Sequence, residues 1–158
     1  MNRSYVHHLT RCLGCLVVFI SLSAYAYQDG LRPFTSDGCS LFPDRALIGQ
    51  KDWCHCCLAH DLAYWQGGTK EQRLQADADL QICVKKEMKD SVLANVMLIG
   101  VRMGGSPYFV TPYRWGYGWS YGRNYQALNE EEQAQAEQLK KEYLKKNPCL
   151  LCRVETEN

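Results

Sequence analysis

The sequence has no excess of either charge and no apolar run long enough to cross a bilayer as a helix. It balances 18 Lys and Arg against 17 Asp and Glu, a formal net charge of +1, where a nucleic-acid-binding domain would show a strong basic excess. Nucleic acid is therefore not an expected partner. Any membrane contact has to rest on apolar and aromatic side chains, not on bulk charge. The run CLGCLVVFISLSA is about 13 residues, short of the roughly 17–25 that a spanning helix needs. Arg3 and Arg11 precede it, and AYA ends at Ala26 with the small-x-small pattern of a cleavage site. Residues 1–26 thus read as a secretory signal peptide, with a single domain over 27–158 in an exported protein, periplasmic or secreted. Cys15 lies near the start of that run rather than after it, which argues against a lipoprotein anchor. No long internal repeat is present either; the tandem RWGYGWSYGRNY stops where it begins.

Cysteine, by contrast, is abundant. Of nine in the chain, Cys12 and Cys15 fall in the leader, and Cys39, Cys54, Cys56, Cys57, Cys83, Cys149 and Cys152 remain. In an exported chain of this size they read as a disulfide framework. Their number is odd, so at least one thiol is left over or pairs between chains. The tail NPCLLC has CxxC spacing, but it follows Pro148 without a βαβ context and reads as disulfide anchorage.

Residues 27–52 are loop-rich, with Gly30, Pro33, Gly38, Pro43 and Gly49. From Cys54 to Trp65 the pattern is helical, and Gly67-Gly68 stops it. Thr69 with Gln72 three residues on forms a capping box for a second helix. The apolar positions Leu74, Ile82, Val84, Met88 and Val92 carry that helix to about Met103. Gly104 to Tyr125 is dense in glycine and aromatics, an irregular loop or short strands. Its aromatics either cover the core or form a wall facing a half-wet boundary such as a lipid surface. Asn129 with Glu132 caps a last helix, acidic at its start and basic at its end as the helix dipole favours, and mostly solvated.

The stretch WCHCCLAHDLAYWQGGT, residues 53–69, concentrates the chemistry. Zinc is one reading, since Cys54, His55, Cys56, Cys57 and His60 are suitable ligand types. The spacing is poor: neighbours on a helix diverge by about 100°, and no second CxxC or HxxxH pair stands nearby. The other reading comes from the turn. Helices joined by Gly67-Gly68-Thr69 are antiparallel neighbours. His60 lies seven residues before Gly67 and Asp77 eight after Thr69, so the two face each other. Cys56 and Cys83 lie further along the same pair. Cys56, His60 and Tyr64, spaced by four, share one face of the first helix. A histidine held by a carboxylate is oriented as a general base. Asp61 points elsewhere and suits a hard cation such as Ca²⁺, with Asp44 of SDGCSLFPD as a second carboxylate. Ca²⁺ beside a general base would polarise an ester carbonyl while the histidine activates water.

CCLAHDLAY resembles the CCxxHDxCY helix of secreted phospholipases A2. DGCSLFPD is similar to the calcium loop of the compact bacterial and fungal branch, and ADADL to the family's second-helix segment. The resemblance covers residues 37–84. It implies a mainly α fold built on a disulfide-crosslinked antiparallel helix pair, here extended by the Gly/aromatic block and the C-terminal helix. It also implies Ca²⁺-dependent hydrolysis of the sn-2 ester of glycerophospholipids, with a phospholipid or membrane surface as substrate. His60 would be the base, Asp77 its partner with Asp79 as the fallback, and Tyr64 a hydrogen-bond donor to the dyad. Asp61 and Asp44 would bind Ca²⁺ with backbone carbonyls of the loop, Cys39 and Leu41 among them. The implied bridges are Cys39–Cys57 and Cys56–Cys83; Cys54 has no counterpart in the family, and Cys149 or Cys152 is its expected partner. Ala63 and Ala76 stand where the family has a further bridge, so both of its ends are missing together. The glycine-rich calcium loop and N-terminal amphipathic helix of the animal enzymes are absent. That departure motivates the alternative expectation, a non-catalytic module of the same type that binds lipid or protein.

Overall fold

A computed structural model describes residues 30–36, 38–39 and 53–147. The expected signal peptide, loop residues Leu41 and Asp44, and tail cysteines Cys149 and Cys152 lie outside the described residues. The described residues form four helices and no strand: α1 Cys54–Gln66, α2 Lys70–Met88, α3 Ser91–Gly104 and α4 Glu130–Lys146. None of these is long and apolar enough to cross a membrane.

α1 ends where Gly67 takes a left-handed φ of 71° and donates its N–H to Ala63 O. Glycine is required there twice over, because a Cβ would also meet the Gly116 backbone at 2.9 Å. Thr69 then starts α2 with both halves of the capping box in place: Gln72 N–H donates to Thr69 Oγ1, and Thr69 N–H to Gln72 Oε1. The turn folds α2 back along α1. Two disulfides lock the arrangement, Cys56–Cys83 between the helices and Cys39–Cys57 from the preceding loop.

The helix expected to continue to Met103 is instead two helices. Lys89 adopts a left-handed φ of 55°, and Asp90 caps α3 by accepting from the Val92 and Leu93 amides. The apolar run across Met88 and Val92 hid this break. Ile82 and Val92, read as part of one stripe, are exposed, whereas Val84 is fully buried. The restart lets α3 fold back against α2, so that Ala94 and Met97 join Leu80, Val84 and the cysteines in one core cluster.

The Gly/aromatic block is irregular throughout, and its aromatics divide between the two expected roles. Trp115 and Trp119 are buried over the tip of the hairpin, their indole N–H groups donating to Gly68 O and Gln66 O at 2.9 and 2.7 Å. Each thus covers apolar surface while satisfying a backbone carbonyl, that of the turn at Gly68 for Trp115 and that of the last residue of α1 for Trp119. Gly118 permits a close approach, since a Cβ there would come within 2.6 Å of Leu31 and Trp65. Tyr108, Phe109, Tyr113 and Tyr121 stay exposed.

α4 carries the Asn129–Glu132 capping box, and its buried position is Ala136. Tyr143 packs edge-on against Phe34, which ties α4 to the entering chain. Arg123 grips Glu132 with two bonds of 2.8 and 2.7 Å and holds its carboxyl below the usual range. This clamp is fully present above the ordinary glutamate range and is lost as pH falls through the lowered value.

Candidate active site

The α1–α2 hairpin brings His60 and Asp77 together as counted from the turn. His60 Nε2 lies 3.1 Å from Asp77 Oδ1, and both residues are buried, Asp77 completely. Tyr64, one turn after His60, donates its hydroxyl to the same oxygen at 2.7 Å. The Tyr64 phenol is pushed well above its ordinary value by burial and then by the neighbouring Asp77, so it stays a neutral donor. Asp79 is exposed and pairs with Gln75 instead.

Two arginines complete this group, and sequence reasoning missed both. Arg102 of α3 approaches Asp77 Oδ2 to 2.8 Å. That oxygen makes no aligned hydrogen bond, so charge pairing is what offsets its burial. Buried Arg73 donates to the hydroxyls of Tyr64 and Tyr125 and to the carbonyls of Val101 and Arg102. Its position four residues before Asp77, on the same face of α2, was a readable hint. Arg102 had no local signal, since its place depends on the break at Lys89. Replacing Arg102 with Met should leave Asp77 Oδ2 unpartnered and lower stability by about 1–3 kcal/mol; urea unfolding of the variant measures it.

His60 also lines a cavity of about 380 Å³ whose walls are mostly apolar. Leu80, Met97, Val101, Pro112, Tyr113 and Tyr117 contribute from α2, α3 and the aromatic loop. Because Nε2 is committed to Asp77, Nδ1 is the ring nitrogen left for chemistry in the cavity. Asp61 and the loop at Thr35, Ser36, Gly38 and Cys39 form the polar edge. There Ser36 Oγ donates to Asp61 Oδ2 and accepts from the Gly38 amide, and Gly38 has a left-handed φ of 79°. Tyr117 OH donates to Thr35 O, holding this strand of chain against α1.

This edge offers a carboxylate, a hydroxyl and backbone carbonyls, a donor set of hard oxygens that fits Ca²⁺. The remaining expected ligands, Asp44 and Leu41, are outside the described residues. The rival zinc reading of Cys54, His55, Cys56, Cys57 and His60 meets an obstacle as well, because Cys56 and Cys57 are committed to disulfides. Cys54 is half-buried at the start of α1, and its expected partner Cys149 falls outside the described residues.

No family model, no curated protein and no solved structure matches this chain.

Proposed function

We propose that the protein is a phospholipase A2-like hydrolase that cleaves the sn-2 ester of glycerophospholipids with Ca²⁺ as cofactor. The observation that carries this reading is the buried Asp77 gripping His60 Nε2 at the wall of an apolar cavity, with Asp61 beside it. His60 Nδ1 takes a proton from water, which attacks the ester carbonyl. Asp77 and Tyr64 fix the ring, and Asp77 stabilises the imidazolium that forms. Asp61, with carbonyls of the adjoining loop and Asp44, would hold Ca²⁺, which supplies a Lewis acid for the carbonyl oxygen when bound. The proton then passes from His60 to the leaving alkoxide, and no covalent enzyme species forms. The apolar walls suit acyl chains. An exported protein in an oxidising compartment is compatible with the two disulfides.

A lipid surface as the place of action has its own support. Val92, Val96, Ile99 and Met103 recur at helical spacing as one exposed stripe on α3, and Tyr108, Phe109 and Val110 are exposed on the loop that follows it. The same α3 and loop supply the cavity wall through Met97, Val101 and Tyr113. Placing charge on this rim, as in Met103→Asp/Val110→Asp, should weaken vesicle binding by roughly tenfold or more, since two apolar side chains are worth about 1.5–3 kcal/mol each when buried. Hydrolysis of a monomeric short-chain ester should stay within about twofold. Vesicle sedimentation and a soluble-substrate assay, run side by side, separate the two effects. Equal loss on both substrates would remove the lipid-docking role.

The direct test of the activity is acyl release from mixed phospholipid vesicles as Ca²⁺ is titrated through the millimolar range, the order expected for extracellular sites. Ca²⁺ binding without release from any lipid class would instead assign the non-catalytic module.

A further inference from the structure

His55 has no part in the dyad or in the oxygen-rich edge, yet it has a defined place. It is half-buried near the start of α1, and its Nε2 lies 3.5 Å from Cys56 Sγ and 3.5 Å from Cys83 Sγ. The ring therefore sits over the bridge between α1 and α2. Glu87, four residues after Cys83 and so on the same face of α2, brings Oε1 to 3.9 Å from the same nitrogen. The His55, Cys56 and Cys83 donor atoms all lie within 4.8 Å of one another.

These distances have a particular meaning for a tetrahedral cation. With Zn–S of about 2.3 Å and Zn–N of about 2.0–2.1 Å, the nitrogen–sulfur edge of the tetrahedron is roughly 3.6 Å. Both nitrogen–sulfur edges already have nearly that length. The sulfur–sulfur edge differs, because the two atoms are bonded; in a zinc site it would open to roughly 3.8 Å. The two Cα atoms are 5.7 Å apart, a separation that side-chain rotation alone can reconcile with that opening. Thiolate and imidazole are soft to borderline donors and favour Zn²⁺ over Ca²⁺ or Mg²⁺.

We propose that His55 and the Cys56–Cys83 bridge form a redox-gated zinc site. It is closed in the oxidised protein. After reduction it holds Zn²⁺ through Cys56, Cys83 and His55, with Glu87 in reach as the fourth ligand. A dithiol or phosphine reductant supplies the two electrons. With a dithiol, two exchange steps break the Cys56–Cys83 bond and leave two thiols here and a disulfide on the reductant. Zn²⁺ then displaces both thiol protons to solvent and takes the Nε2 lone pair of His55. The covalent link between α1 and α2 is thereby replaced by a coordinate one. Because His60 lies one turn beyond Cys56 on α1, a metal staple here keeps it in register with Asp77 when the disulfide is gone. The site stands whatever reaction His60 performs.

The test uses the full chain, reduced anaerobically with a water-soluble phosphine and titrated with Zn²⁺ against a chromophoric chelator. The zinc-loaded chain is then alkylated and its labelled cysteines are mapped by mass spectrometry. The expected result is one Zn²⁺ per reduced chain and none on the oxidised chain, with Cys56 and Cys83 protected while Cys39 and Cys57 are labelled. His55→Ala should weaken binding by roughly tenfold or more. Equal binding by the oxidised chain, protection confined to Cys39 and Cys57, or an unchanged affinity in His55→Ala would each overturn the proposal. Circular dichroism covers loss of fold: a reduced chain that loses its helical signal and does not regain it with Zn²⁺ also overturns it.

Discussion

Replacing His60 with Gln should lower the rate of phospholipid hydrolysis by about 10²–10⁴-fold, the range that general acid–base catalysis supplies, while leaving the far-UV circular dichroism unchanged. One ring nitrogen of His60 is already committed. His60 Nε2 faces Asp77 Oδ1 at 3.1 Å, and the ring also lines the cavity, so the remaining nitrogen is the site's candidate base. A glutamine amide fills the same space and can still donate to Asp77, but it cannot accept a proton from water near neutral pH. The expected loss therefore falls on kcat rather than on vesicle binding, which depends on the apolar rim of α3 and the loop. A variant that binds vesicles normally yet keeps more than a tenth of the activity would show that His60 is not the base. A mainly structural histidine would give the opposite pattern, with altered unfolding and little specific effect on turnover.

The second large effect is on stability. Trp65→Ala should cost about 3–5 kcal/mol, the usual range for emptying a buried aromatic site, measured by urea unfolding. Trp65 is 1 % exposed, packs edge-on against Phe34 and lies against Gly118 of the aromatic block. Its indole N–H also donates to Arg32 O at 2.7 Å. One side chain thus joins α1 to the entering chain and to the loop that roofs the hairpin. Because the 31–39 segment leads directly to Ser36, Gly38 and Cys39, this loss should also loosen the polar edge around Asp61. A cost below about 1 kcal/mol, the scale of a surface substitution, would mean that Trp65 does not join α1 to the entering chain and the roofing loop in this way.

Much of the hairpin was readable because its determinants are local. Gly67-Gly68 ends one helix, Thr69 and Gln72 begin the next, and counting outward from that turn places His60 against Asp77, with Cys56 and Cys83 further along the same pair; that these two are bridged was implied by the resemblance and is what the fold shows. Helical spacing alone set Tyr64 on the dyad face. The break at Lys89–Asp90 was less legible, since a left-handed lysine has no strong sequence signature and the flanking apolar residues continued the helical pattern. Everything that depends on α3 folding back was therefore missed, including the Arg102–Asp77 pair and the clamp of Arg73 on the carbonyls of Val101 and Arg102. The aromatic block could be read as core cover or as boundary wall, and tertiary packing divides it between both. Trp115 and Trp119 donate inward to carbonyls at the tip of the hairpin, while Tyr108 and Phe109 face out. His55 had no role by spacing because adjacent helix positions diverge, but its ring is long enough to lean back over the bridge.

The central claim is a water-activating His60 acting with Ca²⁺ on one ester of a phospholipid. It is tested most directly with vesicles of a phospholipid labelled in its sn-2 acyl chain, in ¹⁸O-enriched water, with and without a Ca²⁺ chelator. The account predicts release of the labelled fatty acid carrying ¹⁸O, an sn-1 lysophospholipid as co-product, and loss of both when Ca²⁺ is removed. Intact lipid at every Ca²⁺ concentration, or release that persists in the chelator or in His60→Gln, would contradict it.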